Sequence, residues 1–201
     1  MTLIGRLRRI SALFAVVLVF ALLPLAAQEP ANASSSSTPG VVQQHDGQHD
    51  FDWEIGKWKL HISRLVHPLS GSKEWIELNG TVVARPIWDG KGNFAEIRAD
   101  GPNGQHLEFL SLRLYNPKAR QWTLNFASSI SGVLSVPKYG EFKDRRGEFY
   151  DQEDFNGRMI FVRFLFFDVS PDSGRSEQAF SNDGGKTWET NWINTYTRVK
   201  E

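Results

Sequence analysis

Gly56-Lys57-Trp58-Lys59-Leu60-His61-Ile62-Ser63 sets Trp58, Leu60 and Ile62 on one parity and Lys57, Lys59, His61 and Ser63 on the other. Successive side chains of an extended chain point to opposite faces, so this period of two predicts a strand with one apolar and one solvated face. The pattern recurs downstream. Leu110, Leu112 and Leu114 alternate with Ser111 and Arg113, and Trp122, Leu124 and Phe126 alternate with Thr123 and Asn125.

Between such runs lie clusters of turn-forming residues: His67-Pro68-Leu69-Ser70-Gly71, Asp89-Gly90-Lys91-Gly92-Asn93, Asp100-Gly101-Pro102-Asn103-Gly104, Asn116-Pro117-Lys118, Asp144-Arg145-Arg146-Gly147, Pro171-Asp172-Ser173-Gly174 and Asn182-Asp183-Gly184-Gly185. Glycine supplies positive φ, proline presets φ, and Asn or Asp bonds its own backbone, so each cluster reverses the chain for a physical reason. About nine or ten strands at this spacing form an all-β antiparallel up-and-down meander. Closure into a barrel of about eight to ten strands removes the exposed edges and leaves an interior for one small ligand; a two-sheet sandwich is the alternative. The strand around residues 159–169 is apolar on both faces, with Ile160, Val162, Phe164 and Phe166 opposing Phe161, Leu165 and Phe167. Its outer face therefore needs a cover: a loop, the preceding segment or a second copy in a homodimer.

The first residues read as an export leader. Arg6, Arg8 and Arg9 precede an apolar stretch over residues 10–25, and small residues suited to cleavage after Ala27 or Ala33 follow. A Ser-rich linker over residues 34–46 then leads to one domain at 47–201, expected in the periplasm or outside the cell, and off the membrane once the leader is removed. The chain has no cysteine, which excludes disulfides, thiolate metal sites, a Cys nucleophile and a lipid-bearing cysteine. Without the leader, 20 of the 23 basic side chains remain against 22 or 23 acidic ones. Nucleic-acid binding calls for a basic surplus, so that class is excluded.

Several motifs carry candidate chemistry. Ser181-x-Asp183-x-Gly185-x-Thr187-Trp188 matches the Asp-box hairpin, in which Asp183 bonds turn amides, Gly185 allows the reversal and Trp188 packs beneath; one copy in a short chain reads as structural. His45, Asp46, His49, Asp50 and Asp52 gather imidazoles and carboxylates, but Gly47 and the missing helical period argue for a polar lead-in docked by Phe51 and Trp53 rather than a metal site. A haem-holding barrel would need a late imidazole, and the last histidine is His106. No cofactor or metal is expected. Glu148, Asp151, Glu153 and Asp154 cluster near a turn, where a solvated acidic loop is the ordinary outcome and paired carboxylates for acid–base work the functional one. The seven Trp residues fit strand cores better than sugar stacking.

Isolated polar residues within apolar strands point more directly to a ligand. Arg113, Asn125, Arg163 and Glu177 must reach solvent, pair across strands or face a polar cavity, because burying an unpaired charge is costly. If they face the interior, the site is a pocket floored by Trp58 and lined by these four, suited to a small, partly apolar, acidic molecule.

Gly56 and Trp58 on the first strand and Arg198 on the last resemble the structural signature of lipocalin-like, or calycin, barrels, in which the Arg crosses the indole and seals the floor. The segments 47–58, 110–122 and 177–192 together resemble an uncharacterised family of exported bacterial proteins known as a domain of unknown function. That resemblance implies the compartment and the barrel, and carries no activity or ligand. The expected function is small-molecule binding by an exported barrel. The alternatives are a hydrolase or isomerase using Glu148, Asp151 or Glu177 with an arginine, and an interaction module built on the phenylalanine-rich face.

Overall fold

The computed structural model describes residues 45–200, so the leader, its cleavage positions and the linker up to residue 44 lie outside the described residues. Ten strands follow in order: β1 (Gly56–Leu65), β2 (Trp75–Ile87), β3 (Gly92–Asp100), β4 (His106–Asn116), β5 (Gln121–Ser128), β6 (Lys138–Lys143), β7 (Arg146–Phe155), β8 (Arg158–Phe167), β9 (Ser173–Ser181) and β10 (Glu189–Arg198). Each pairs antiparallel with its successor, and β10 returns to β1 with Trp58 opposite Arg198 and Ile62 opposite Asn194. The fold is a closed, lipocalin-like up-and-down barrel. Closure satisfies the backbone groups that an open sheet would leave at its two edges.

The alternation of β1 translates directly into burial, with Trp58, Leu60 and Ile62 inside and Lys57, Lys59 and His61 exposed. On β4 the inward parity is the less apolar one. Ser111, Arg113 and Tyr115 are buried, while Leu110, Leu112 and Leu114 lie on the outer face. The seven turn clusters fall between strands. Two further connections complete the meander: Asn156-Gly157, with φ of 55° and 78°, makes the two-residue β7–β8 hairpin, and residues 129–137 link β5 to β6. The acidic segment at residues 148–154 is therefore strand β7 and not a loop, and its parity sends Phe149, Asp151 and Glu153 inward.

The lead-in seals one end of the barrel. Phe51, fully buried ahead of a 3-10 turn (Asp52–Glu54), stands edge-on to Trp122 at 5.1 Å, Phe142 at 4.9 Å and Phe166 at 5.1 Å. The buried Trp122 indole donates to the Gly47 carbonyl at 2.8 Å, which pins the segment to the barrel. Arg198 lies 4.0 Å over the Trp58 ring and donates to the carbonyls of Ile55 (2.9 Å), Trp53 and Pro171. Gly56 is required there: its φ is 119°, and a Cβ would stand 2.9 Å from Arg198 Nη1.

The outer face of β8 is covered by the chain's own side chains. Arg146 and Arg175 lie over Phe167 at 5.6 and 5.1 Å, Arg163 lies over Trp188 at 4.7 Å, and Leu165 is 4% exposed. Stacked guanidinium groups shield aromatic surface while keeping their charge near water. In the β9–β10 connection, Asp183 accepts from the amides of Lys186 and Thr187 at 3.0 Å and from the Ser181 and Thr187 hydroxyls at 2.7 Å. Those donors, Thr187 foremost, hold its carboxyl well below the usual carboxylate range.

Candidate ligand cavity

The barrel interior divides into a sealed half and an open half. In the sealed half, Glu54 enters from the lead-in and meets Arg113 of β4. Nη1 donates to Glu54 Oε2 at 2.5 Å and to Asn93 Oδ1 at 3.1 Å, and Nη2 donates to Glu54 Oε1 at 3.1 Å. Arg113 also lies 4.7 Å over Phe51, and both charged side chains are almost fully buried. A bidentate pair with a third acceptor is the arrangement in which a buried guanidinium is tolerated. Tyr196 closes this layer, hydrogen-bonded to Ser176 at 3.1 Å; burial, with the Glu54 charge adding to it, pushes its hydroxyl above the usual phenol range.

Above this layer a cavity of about 350 Å³ occupies the open half. Its walls are mainly Leu60, Ile62, Ile97, Phe109, Phe126, Phe164 and Trp192, with Gln178 and Asn194 supplying amides and Arg64 standing at the mouth beside Trp192. The β5–β6 connection forms part of the rim through Ser135, whose carbonyl accepts from Asn125 Nδ2 at 2.9 Å.

One charged cluster faces this space. Lys138 of β6 is 1% exposed and donates to Asp151 Oδ2 at 2.9 Å and to Glu153 Oε1 at 2.6 Å, both on β7. Burial raises the Asp151 carboxyl to about 7; Lys138 opposes the rise and Glu153 adds to it. A carboxyl raised on folding holds its proton in the native state where the unfolded chain has lost it. Its stabilising contribution is thus full in acid and fades as pH climbs from about 4 to about 7. Asp151→Asn removes that dependence. Measured by urea unfolding at pH 5 and pH 8, the variant is expected to gain stability relative to wild type at the higher pH, by on the order of 1 kcal/mol per pH unit within the window.

The residues singled out by sequence separate in space. Trp58 and Arg113 point inward but belong to the sealed half, Trp58 with its indole donating to the Glu54 carbonyl at 2.6 Å. Asn125, Arg163 and Glu177 sit on outward positions: Asn125 holds the rim, Arg163 stacks on Trp188, and Glu177 lies 3.6 Å from Arg175. The pocket is therefore not lined by these arginines. Glu148 is also outward, bonded to Arg146 at 2.8 Å. Of the carboxylates considered for catalysis, Asp151 and Glu153 lie on the inward parity of β7.

Glu153 and Asp151 both belong to the acidic run read from the sequence and, standing two apart, share a face of β7; Lys138 was not legible as a site residue. Outside the sealed end, a cleft of about 770 Å³ runs between the lead-in and the β6–β7 and β8–β9 turns. In it His45 is bonded to Asp50 at 2.6 Å, His49 to Asp52 at 2.8 Å, and Arg198 is occupied by the seal. The enclosed interior is the better ligand site.

No family model matches the chain, and no curated protein matches it. Solved structures do. An S-type phycobiliprotein lyase, CPES from Guillardia theta, superposes with a TM-score of 0.54 at 14% identity, covering 77% of this chain and 93% of that one. A de novo designed fluorescence-activating β-barrel gives a TM-score of 0.40 at 14% identity over 74% of this chain and 95% of that one. At these identities the likeness is one of fold: the chain is built on a calycin-like barrel.

Proposed function

We propose that the protein is an exported carrier or receptor that holds one small, largely apolar molecule in the open half of its barrel. The cavity of about 350 Å³ carries this reading, because it is floored by the sealed layer in which Arg113 pairs with Glu54, walled by aliphatic and aromatic side chains, and supplied with few polar groups. Export to the periplasm or beyond rests on the leader-like residues Arg6, Arg8 and Arg9 with the apolar stretch after them, and on the absence of cysteine. The name phycobiliprotein lyase belongs to the CPES barrel and not to this chain, whose ligand follows from its own lining.

A titration with the neutral fluorophore N-phenyl-1-naphthylamine tests the reading. Wild type is expected to give a saturable, one-to-one rise in emission. Ile97→Trp, which fills the cavity from β3, is expected to weaken binding at least about tenfold while leaving the fold intact, a loss of about 1.4 kcal/mol. Equal emission from both proteins would place the probe elsewhere and remove the reading. Lys138, Asp151 and Glu153, mutually within hydrogen-bond reach in the cavity wall, favour a second reading in which the bound molecule is isomerised by proton transfer. Turnover of a bound compound, abolished by Asp151→Asn, would mark that outcome.

A further inference from the structure

The cavity's walls are apolar, but its charged cluster is incompletely satisfied. Lys138 carries three N–H donors and directs two of them to Asp151 and Glu153; the third has no hydrogen-bond partner among the described residues. Glu153, whose side chain is 32% exposed, spends Oε1 on Lys138, while Asp151 Oδ1 is buried with no partner other than the neighbouring Glu153 carboxyl. Lys138 and Glu153 both line the cavity. Buried donors in proteins are nearly always paired, so the unspent Lys138 donor, beside a carboxylate that lines the cavity, marks the place for a polar group of a ligand.

The sign of the cluster restricts that group. One ammonium faces two carboxylates, and with the Asp151 carboxyl raised to about 7 the cluster's net charge at neutral pH lies between zero and minus one. It offers no net attraction to an anion. The other cation lining the cavity, Arg64, is exposed at the mouth and lies 5.4 Å over Trp192. Phe126, Phe164 and Phe109 line the same space, with Lys138 Nζ 5.6 Å over the Phe126 ring and the Phe126 and Phe164 rings 5.3 Å apart. Such walls favour planar apolar surface over flexible polar chains.

Building on the binding reading above, we propose that Lys138 and Glu153 form the polar anchor of the cavity and that its ligand is an uncharged, planar, largely apolar molecule bearing a hydroxyl group. The hydroxyl oxygen accepts from the third Lys138 N–H, and its hydrogen goes to the Glu153 carboxylate. The remainder of the molecule lies against the phenylalanines. This differs from the acidic ligand that the strand arginines suggest in sequence, because Arg113 is consumed by Glu54 and Arg163 lies outside the barrel.

Three probes of one shape test the assignment: naphthalene, 2-naphthol and 2-naphthoate, each displacing N-phenyl-1-naphthylamine at pH 7. In wild type, 2-naphthol is expected to bind about tenfold tighter than naphthalene, as suits a hydrogen bond to a charged donor, and 2-naphthoate more weakly than 2-naphthol. In Lys138→Met the advantage of 2-naphthol over naphthalene disappears and naphthalene affinity is kept. The wild-type series stands alone if that variant does not fold. Equal binding of naphthalene and 2-naphthol overturns the anchor. So does tightest binding of 2-naphthoate, which would move recognition to Arg64, a result that Arg64→Gln would then abolish. Failure of every probe, the fluorophore included, would instead remove the binding reading itself.

Discussion

Replacing Glu54 with glutamine is expected to destabilise the barrel by about 3–5 kcal/mol, because it leaves the Arg113 guanidinium buried without its counter-charge. Arg113 is 2% exposed and cannot turn to water, since it is held between Phe51 at 4.7 Å and Phe166 at 5.6 Å. Asn93 accepts one of its hydrogens but supplies no charge. The double change Glu54→Leu with Arg113→Met removes both charges from the sealed layer, and is expected to recover most of the loss. A thermodynamic cycle from urea unfolding of the wild type, both single variants and the double variant measures the coupling directly. Additive single effects would mean that the pair does not stabilise the sealed end as a unit.

Trp58→Ala is the second large effect, at about 3–5 kcal/mol. The indole is fully buried, stands 5.6 Å from Trp53 and 6.4 Å from Tyr196, and forms the platform under Arg198. Its removal opens a void and deprives Arg198 of the surface it crosses, so the β1–β10 seam is weakened together with the plug. Hydrogen exchange of the β1 and β10 amides, read alongside the shift in urea midpoint, is expected to show that seam opening first. A loss below about 1 kcal/mol would show that the lead-in, not the Trp58–Arg198 stack, closes the barrel.

The fold was legible because β1 states its parity plainly and because most connections announce themselves in Gly, Pro, Asn and Asp. Asn156-Gly157 carries a hairpin signal of the same kind, hidden by the acidic run before it. The site was less legible, for a physical reason visible on β4. Three leucines there alternate with Ser111 and Arg113, and hydropathy alone favours the leucines as the inner face. The structure chooses the other parity because Glu54, 59 residues earlier, neutralises Arg113, and no local pattern encodes that meeting. Arg163 fails as a pocket residue for a related reason: β8 is apolar on both faces, so its periodicity could not say which one is inside. Lys138 sits at the start of a six-residue strand with no alternation to place it, and it acquires meaning only once β6 is paired with β7.

Native mass spectrometry of the protein recovered from its source cells, compared with the denatured chain, tests the central claim most directly. Occupation of the cavity predicts a native mass exceeding the bare chain by one small molecule, released on denaturation and absent from Ile97→Trp prepared in the same way. Bare-chain mass from both proteins, or an adduct that persists in Ile97→Trp, would contradict a ligand held inside the barrel.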